Sequence, residues 1–243
     1  MASVLILGAG SDIAMAMARK WAEEKFDVVL AARRPERLQA LESDIRVRYN
    51  VNCHAIAFDA LQYETHQAFV ESLQTSPDIT ICVFGLLAPE EDALNEWPVA
   101  KAMIDTNYTG AVSILNIIAR HYMARKGGTI IGISSVAGER GRADRLIYSS
   151  AKAGFTAYLS GLRNLCFPKG VHVMSVLPGY VYSRMTENQK LPPMLTSRPG
   201  EVARIVFNAY LKKKNTIYIK WFWRFIMLVV KSIPEFLFKK MKL

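Results

Sequence analysis

The 243-residue sequence predicts an α/β protein, a doubly wound seven-stranded parallel sheet in a single domain, closed by a basic and aromatic C-terminal tail. Three observations predict it. Short β-branched runs alternate with longer helical stretches along the chain, as in a parallel sheet covered on both faces. No Pro/Gly/Ser-rich linker interrupts that alternation, and 243 residues suffice for one large core. The first apolar run ends in a glycine turn that opens a helix.

The seven strands are placed at residues 2–7, 27–32, 53–57, 79–84, 129–134, 171–177 and 216–220. Helices are expected to start near Ser11, Pro35, Tyr63, Ala100, Tyr148 and Pro199, several with a proline or hydroxyl residue where a helix begins. Right-handed crossovers then align the carboxyl ends of the strands along one edge, the edge at which such sheets bind ligands.

Composition narrows the classes. The chain is 51% hydrophobic and 21% charged, the make-up of a globular protein and not of a disordered one. Cys53, Cys82 and Cys166 are widely spaced, with no CxxC pair and no histidine cluster, so they read as buried reduced thiols and not as a metal site or disulfide framework. The start of the chain runs directly into a strand without the features of a secretory signal. A cytoplasmic protein is expected. The net charge of +10 is concentrated from Leu211 onward, where Lys212, Lys213, Lys214, Lys220, Arg224, Lys231, Lys239, Lys240 and Lys242 face Glu235 alone. The basic balance therefore describes the tail and argues no nucleic-acid partner.

The first strand ends in Leu7-Gly8-Ala9-Gly10-Ser11-Asp12-Ile13-Ala14, so free backbone N–H groups at a helix start are available to a pyrophosphate. The same turn also occurs in folds that bind nothing. Arg33 and Arg34 follow the second strand, where cations suit the 2′-phosphate of NADP and an acid would suit NAD; a solvated helix start is the plain alternative. Asp59 after the third strand is a candidate acceptor for the adenine amino group, and Gly85 after the fourth leaves room for a ring; either residue could equally serve turn chemistry.

Tyr148 and Lys152, spaced i, i+4, share a helical face on which an ammonium can approach a phenol. A neighbouring cation favours phenolate and moves the phenol toward a pKa useful for proton transfer. Ser135 follows the fifth strand, thirteen residues before Tyr148, placed to hydrogen-bond a carbonyl. A Tyr-x-x-x-Lys pair alone is common. Here Ser149, Ser150, Ala151, Ala153 and Gly154 surround it, the small residues that a closely packed helix needs.

With these residues the chain resembles the short-chain dehydrogenases end to end, through the glycine turn, Asn107 in Asp105-Thr106-Asn107-Tyr108-Thr109-Gly110, Ser135, Tyr148, Lys152 and Pro178-Gly179. The resemblance implies a Rossmann-like fold and an oxidoreductase using NADPH, or alternatively NADH. It implies that Tyr148 donates a proton to the carbonyl as hydride arrives. Lys152 would lower the tyrosine pKa and hold the nicotinamide ribose, Ser135 would orient the substrate, and Asn107 would help carry a proton-relay water. The cofactor set it implies is Gly8, Gly10, Ser11, Asp12, Ile13, Arg33, Arg34, Asp59, Ala60, Gly85, Tyr148, Lys152, Pro178, Gly179, Val181 and Ser183, with no metal. The helices starting near Ala100 and Tyr148 would pair between subunits in a homodimer or homotetramer.

Three positions depart from the family pattern. Asp12 and Ala14 stand where the second and third glycines are usual, and the Asp12 carboxylate is expected to point away from the pyrophosphate. Val83-Phe84-Gly85-Leu86 replaces the usual Asn-Asn-Ala-Gly, and Ser183 replaces a threonine.

A narrower resemblance, to the decaprenylphosphoryl 2-keto-pentose reductases, lies in Phe84-Gly85-Leu86-Leu87, Asn107-Tyr108-Thr109, residues 134–140, Phe225-Ile226-Met227 and Ile233-Pro234. It implies a 2-keto-sugar carried on a polyprenyl phosphate. The tail carries an independent argument. Trp221, Phe222, Trp223 and the run from Phe225 to Val230 are interleaved with Lys220, Arg224 and Lys231, too short and too charged to span a bilayer. Residues 1–220 thus form the dinucleotide-binding domain. Residues 221–243 form an amphipathic extension that either lies at the membrane interface, on the cytoplasmic face, or covers the protein's own core or a partner subunit. Residues 180–195, with Met185, Leu191 and Met194, are assigned as a substrate lid in which Arg184 meets either a phosphate or solvent. A soluble reductase of acyl or other small ketones and a non-catalytic dinucleotide sensor are the competing functions.

Overall fold

β1 (Ser3–Leu7), β2 (Asp27–Ala32), β3 (Cys53–Ala57), β4 (Ile79–Cys82), β5 (Thr129–Ile133) and β6 (His172–Leu177) lie within the predicted strands. The computed structural model describes all residues except Gln74, Asn188, Lys242 and Leu243. β7 (Tyr180–Val181) and β8 (Thr196–Ser197) form a separate two-stranded ribbon, and β9 (Thr216–Tyr218) completes the main sheet. Its order is β3-β2-β1-β4-β5-β6-β9, every pairing parallel.

The strands are apolar on both faces because both are covered. Val4 and Ile6 point into one core, with Met17 and Trp21 of α1 (Asp12–Glu23), Ile45 of α2 (Gln39–Tyr49) and Phe207 of α8 (Pro199–Leu211). Leu5 and Leu7 point into the other, with Phe69 of α3 (His66–Glu71), Ile114 and Ile118 of α6 (Gly110–Ala124) and Phe155 and Leu159 of α7 (Leu146–Cys166). Cys53, Cys82 and Cys166 are free and buried in these layers.

The chain reverses its winding between β1 and β4, and the crevice beyond their carboxyl ends is the ligand-binding place of such sheets. Gly8 sits there with φ +87°, and a Cβ on it would lie 2.6 Å from that of Phe84, so both its conformation and its space require glycine.

Two further short helices, α4 (Glu90–Asn95) and α5 (Trp97–Ile104), precede a π-helical turn at Asp105–Thr109 that runs on into α6. The single helix expected near Ala100 is thus a longer, interrupted one. After β9 the chain turns through Lys220, at φ 59°, into α9 (Trp223–Ser232) and α10 (Glu235–Phe238). The inner face of α9 is packed down: Trp223 and Met227 are buried against Val136, Leu177 and Tyr180. The outer face, with Phe225, Leu228 and Val229, is exposed.

Candidate active site

Beyond the ends of β4, β5 and β6 lies a cavity of about 330 Å³ whose wall holds Ser135, Tyr148 and Lys152 together. Ser135 leaves β5 in extended conformation and its hydroxyl accepts from the Ala137 N–H at 3.1 Å, which tightens the turn and fixes the side chain. Tyr148 and Lys152 lie in the first two turns of α7. Gly138 lets the turn after Ser135 pack against that helix, since a Cβ there would come within 2.7 Å of the Ala153 nitrogen.

Part of the Tyr148 ring opens onto the cavity, yet the protein around its hydroxyl pushes the phenol above its ordinary value. The Ser135 hydroxyl and the Arg145 guanidinium act in the opposite direction. Lys152 is a second cation near this ring. Its ammonium donates to the Ile133 carbonyl at 3.2 Å and lies 5.8 Å from the Tyr148 ring centre. Burial lowers the Lys152 pKa to about 8.

Asn107 lies within the π-helical turn, a feature frequent at functional sites. Its amide donates to the carbonyls of Leu86 at 2.6 Å and Met103 at 2.8 Å, and its oxygen accepts from the Leu86 N–H at 3.2 Å. The side chain therefore ties the turn to the segment after β4. A Cβ on Gly85 would lie 2.9 Å from Asn107 Oδ1 and 3.5 Å from Lys152 Nζ, which keeps this approach to the lysine open.

The cofactor set is spread along the same edge. Ser11 caps α1, its hydroxyl accepting from the Ala14 N–H at 3.2 Å. A Cβ on Gly10 would meet nothing within 4 Å, so the turn presents bare backbone to open space beside a helix start, a cradle that fits a pyrophosphate. Ile13, Pro178, Gly179, Val181 and Ser183 line the cavity. Arg33 and Arg34 are exposed just beyond β2, as a 2′-phosphate would require. Asp59 performs turn chemistry, its carboxylate accepting from the Leu61 N–H at 3.0 Å, while the Ala60 carbonyl packs against Gly110 of α6. Asp12 is turned onto Arg184, which donates from its backbone at 2.8 Å and from Nε at 3.1 Å.

The sequence reading did not single out Arg140, Arg142 and Arg145, all of which line the cavity. Three arginines so close before α7 were the available signal. Arg140 is committed to the tail: Nη1 donates to the carbonyls of Val230 at 2.7 Å and Ile233 at 2.6 Å, Nη2 donates to Glu235 at 3.0 Å, and its guanidinium lies 3.7 Å from the Phe238 ring centre. Arg142 and Arg145 share the exposed Asp144 carboxylate at 3.6 and 3.7 Å, too distant for full hydrogen bonds. An apolar part of the lining is formed by Leu195, Trp223, Ile226, Met227 and Val230. Trp223 lies so close over Gly179 that a Cβ there would fall 2.1 Å from the indole.

A serine, tyrosine and lysine at the carboxyl edge of a doubly wound sheet, beside a glycine turn, define a nucleotide-dependent oxidoreductase site. The short chain dehydrogenase family model matches residues 2–193, and the chain belongs to that family. It is 32% identical to an uncharacterised oxidoreductase of Mycobacterium tuberculosis strain H37Rv, over 99% of this chain and 97% of the relative. It is 30% identical to a serine 3-dehydrogenase of Agrobacterium fabrum, over 76% of this chain and 74% of the relative. Its fold is shared with a short-chain dehydrogenase of Sphingobium yanoikuyae in complex with NADPH, at TM-score 0.81 and 20% identity over 97% of both chains. The bulky-bulky ketone specific alcohol dehydrogenase of Comamonas testosteroni also superposes at TM-score 0.81, with 21% identity over 97% of this chain and 96% of that one.

Proposed function

We propose that the chain is an NADPH-dependent reductase of ketones that carry a large apolar arm. The observation that carries this reading is that Ser135, Tyr148 and Lys152 line the same cavity as the apolar residues supplied by α9. With its pyrophosphate held at the glycine turn, the dinucleotide would supply a hydride from its nicotinamide to the carbonyl carbon. Tyr148 then gives its proton to the carbonyl oxygen, and Ser135 holds that oxygen in place. A phenol kept protonated by burial is suited to donate. Arg33 and Arg34 favour NADPH over NADH through the 2′-phosphate, in keeping with the NADPH-bound relative.

A more specific reading has support in the same cavity. Arg142 and Arg145 offer positive charge beside an apolar wall, and the outer face of α9 adds exposed aromatic and aliphatic residues among cations. Those features suit a ketone on an anionic amphiphile at a membrane surface, and the 2-keto-sugar on a polyprenyl phosphate is the member of that class to test first. Homodimers or homotetramers paired through α5, α6 and α7 are part of the proposal, supported by the exposed Trp97 and Leu146.

The test is oxidation of NADPH and NADH by the purified protein with a lipid-linked 2-keto-pentose and with small and bulky ketones. Turnover of bulky or lipid-linked ketones is expected, with NADPH preferred, and a fall of at least ~100-fold in kcat for Tyr148→Phe, the range of general acid catalysis. Turnover of small ketones alone would restore the soluble acyl-ketone reading. Cofactor binding with no turnover, or a Tyr148→Phe enzyme of full activity, would overturn the reductase mechanism.

A further inference from the structure

Asp12 raises an electrostatic problem that the fold answers. A carboxylate at the glycine turn repels a pyrophosphate unless a cation compensates it. Arg184, 172 residues later, supplies that cation. Its backbone N–H donates to Asp12 Oδ2 at 2.8 Å, its Nε donates to Oδ1 at 3.1 Å, and its Nη2 donates to the Gly10 carbonyl. The neighbours of the pair in the chain, Ile13 on α1 and Ser183 and Met185 beside Arg184, line the cavity. The segment bearing Arg184 is held at its base by the β7–β8 ribbon, and Gln189 accepts from Arg145 at 2.8 Å.

We propose that Arg184 is the cation of the pyrophosphate subsite, that Asp12 is its positioning residue, and that the pair acts as a clasp retarding release of the dinucleotide. A guanidinium has five N–H donors in a fixed fork, and Asp12 and Gly10 engage two of them. The remainder is available to phosphate oxygens, as are the N–H groups of Asp12 and Ile13, which have no acceptor within the helix, the Ala14 N–H being taken by Ser11. Asp12 aims the fork, and the guanidinium in return cancels the repulsion that Asp12 alone would exert. The side chain of Arg184 is 62% exposed, so its removal leaves no buried gap.

The inference rests on the dinucleotide reading, and equilibrium binding separates the two without recourse to turnover. Calorimetric titrations would use NADPH, NADH, ADP-ribose, which contains the pyrophosphate, and 2′-AMP, which does not. Arg184→Ala is expected to weaken NADPH, NADH and ADP-ribose alike by ~10-fold or more, the scale of a charge-assisted hydrogen bond, and to leave 2′-AMP unchanged. Asp12→Ala is expected to speed NADPH release in stopped-flow fluorescence without tightening its binding. Wild-type affinity for ADP-ribose in Arg184→Ala, or tighter binding in Asp12→Ala, would overturn the clasp while the dinucleotide reading stood. A wild-type protein that binds neither NADPH nor NADH would overturn both.

Discussion

Lys152 is an ammonium with 4% of its surface exposed, and carbonyl oxygen from Ile133 is its recorded hydrogen-bond acceptor. Its pKa is about 8 in the fold against an ordinary 10.5. Between those values the unfolded chain binds the proton and the native state does not, so stability rises with pH through that window. Below pH 8 the native protein carries the whole cost, roughly 3 kcal/mol at about 1.4 kcal/mol per pKa unit. Cofactor-free Lys152→Met is therefore expected to be more stable than wild type at pH 7, by up to roughly 3 kcal/mol, with the gap closing toward pH 10.5. Urea unfolding at a series of pH values measures this, and a gap that does not change with pH would refute it. The spacing of Tyr148 and Lys152 revealed their shared helical face in the sequence. It did not reveal that the ammonium donates to the Ile133 carbonyl or that Arg145 also acts on the phenol, because these depend on where the side chains lead in the fold.

Arg140 works at the scale of an element, joining the turn after Ser135 to the end of α9. The last carbonyls of a helix lack intrahelical partners, and a guanidinium can satisfy several at once. It takes those of Val230, Lys231 and Ile233 and adds Glu235 and the Phe238 face. Beside it, Glu139 accepts from Tyr218 at 2.8 Å and Lys231 at 3.1 Å, a second tie between the same segments. Arg140→Ala is expected to cost about 1–3 kcal/mol of stability. It should also speed hydrogen exchange across residues 223–238 and raise KM for bulky ketones as the α9 wall loosens. Arg140→Lys should rescue little, because an ammonium lacks the planar fork. Unchanged exchange in that segment would show that apolar packing of Trp223 and Met227 holds α9 unaided. Such ties join residues about 90 apart, which periodicity cannot register. Periodicity did place the strands, since β-branched runs and turns are local. It overran β4 at Phe84 and β9 at Lys220, where the chain leaves the sheet to build the site and, at Lys220, adopts positive φ. The interrupted helix near Ala100 escaped for the same reason: the Asn107 amide bonded to Met103 and Leu86 sets the π-helical turn, and apolar spacing is blind to it.

At the scale of the whole molecule, the tail closes the cavity with its inner face and leaves an apolar outer face exposed. Trp223, Ile226, Met227 and Val230 close the cavity, while Trp221, Phe225, Leu228 and Val229 are 74%, 55%, 61% and 65% exposed. Among the described residues no helix is long and apolar enough to cross a membrane, so contact with lipid would be through this outer face. Deleting residues 221–243 could not test that contact, because it would also strip the cavity of its wall. Phe225→Glu with Leu228→Glu changes the outer face alone, since neither residue lines the cavity. Burying each side chain in an interface is worth about 1.5–3 kcal/mol. Losing both should reduce partitioning onto vesicles of mixed neutral and anionic phospholipid by ~100-fold or more. Wild-type binding should weaken with added salt, because Arg224, Lys239 and Lys240 would each contribute about 1 kcal/mol toward an anionic surface. Turnover of a water-soluble ketone by the variant should match wild type. Vesicle binding that survives the double substitution, or that ignores both salt and lipid charge, would remove the membrane from the proposal and leave α9 as a substrate wall alone.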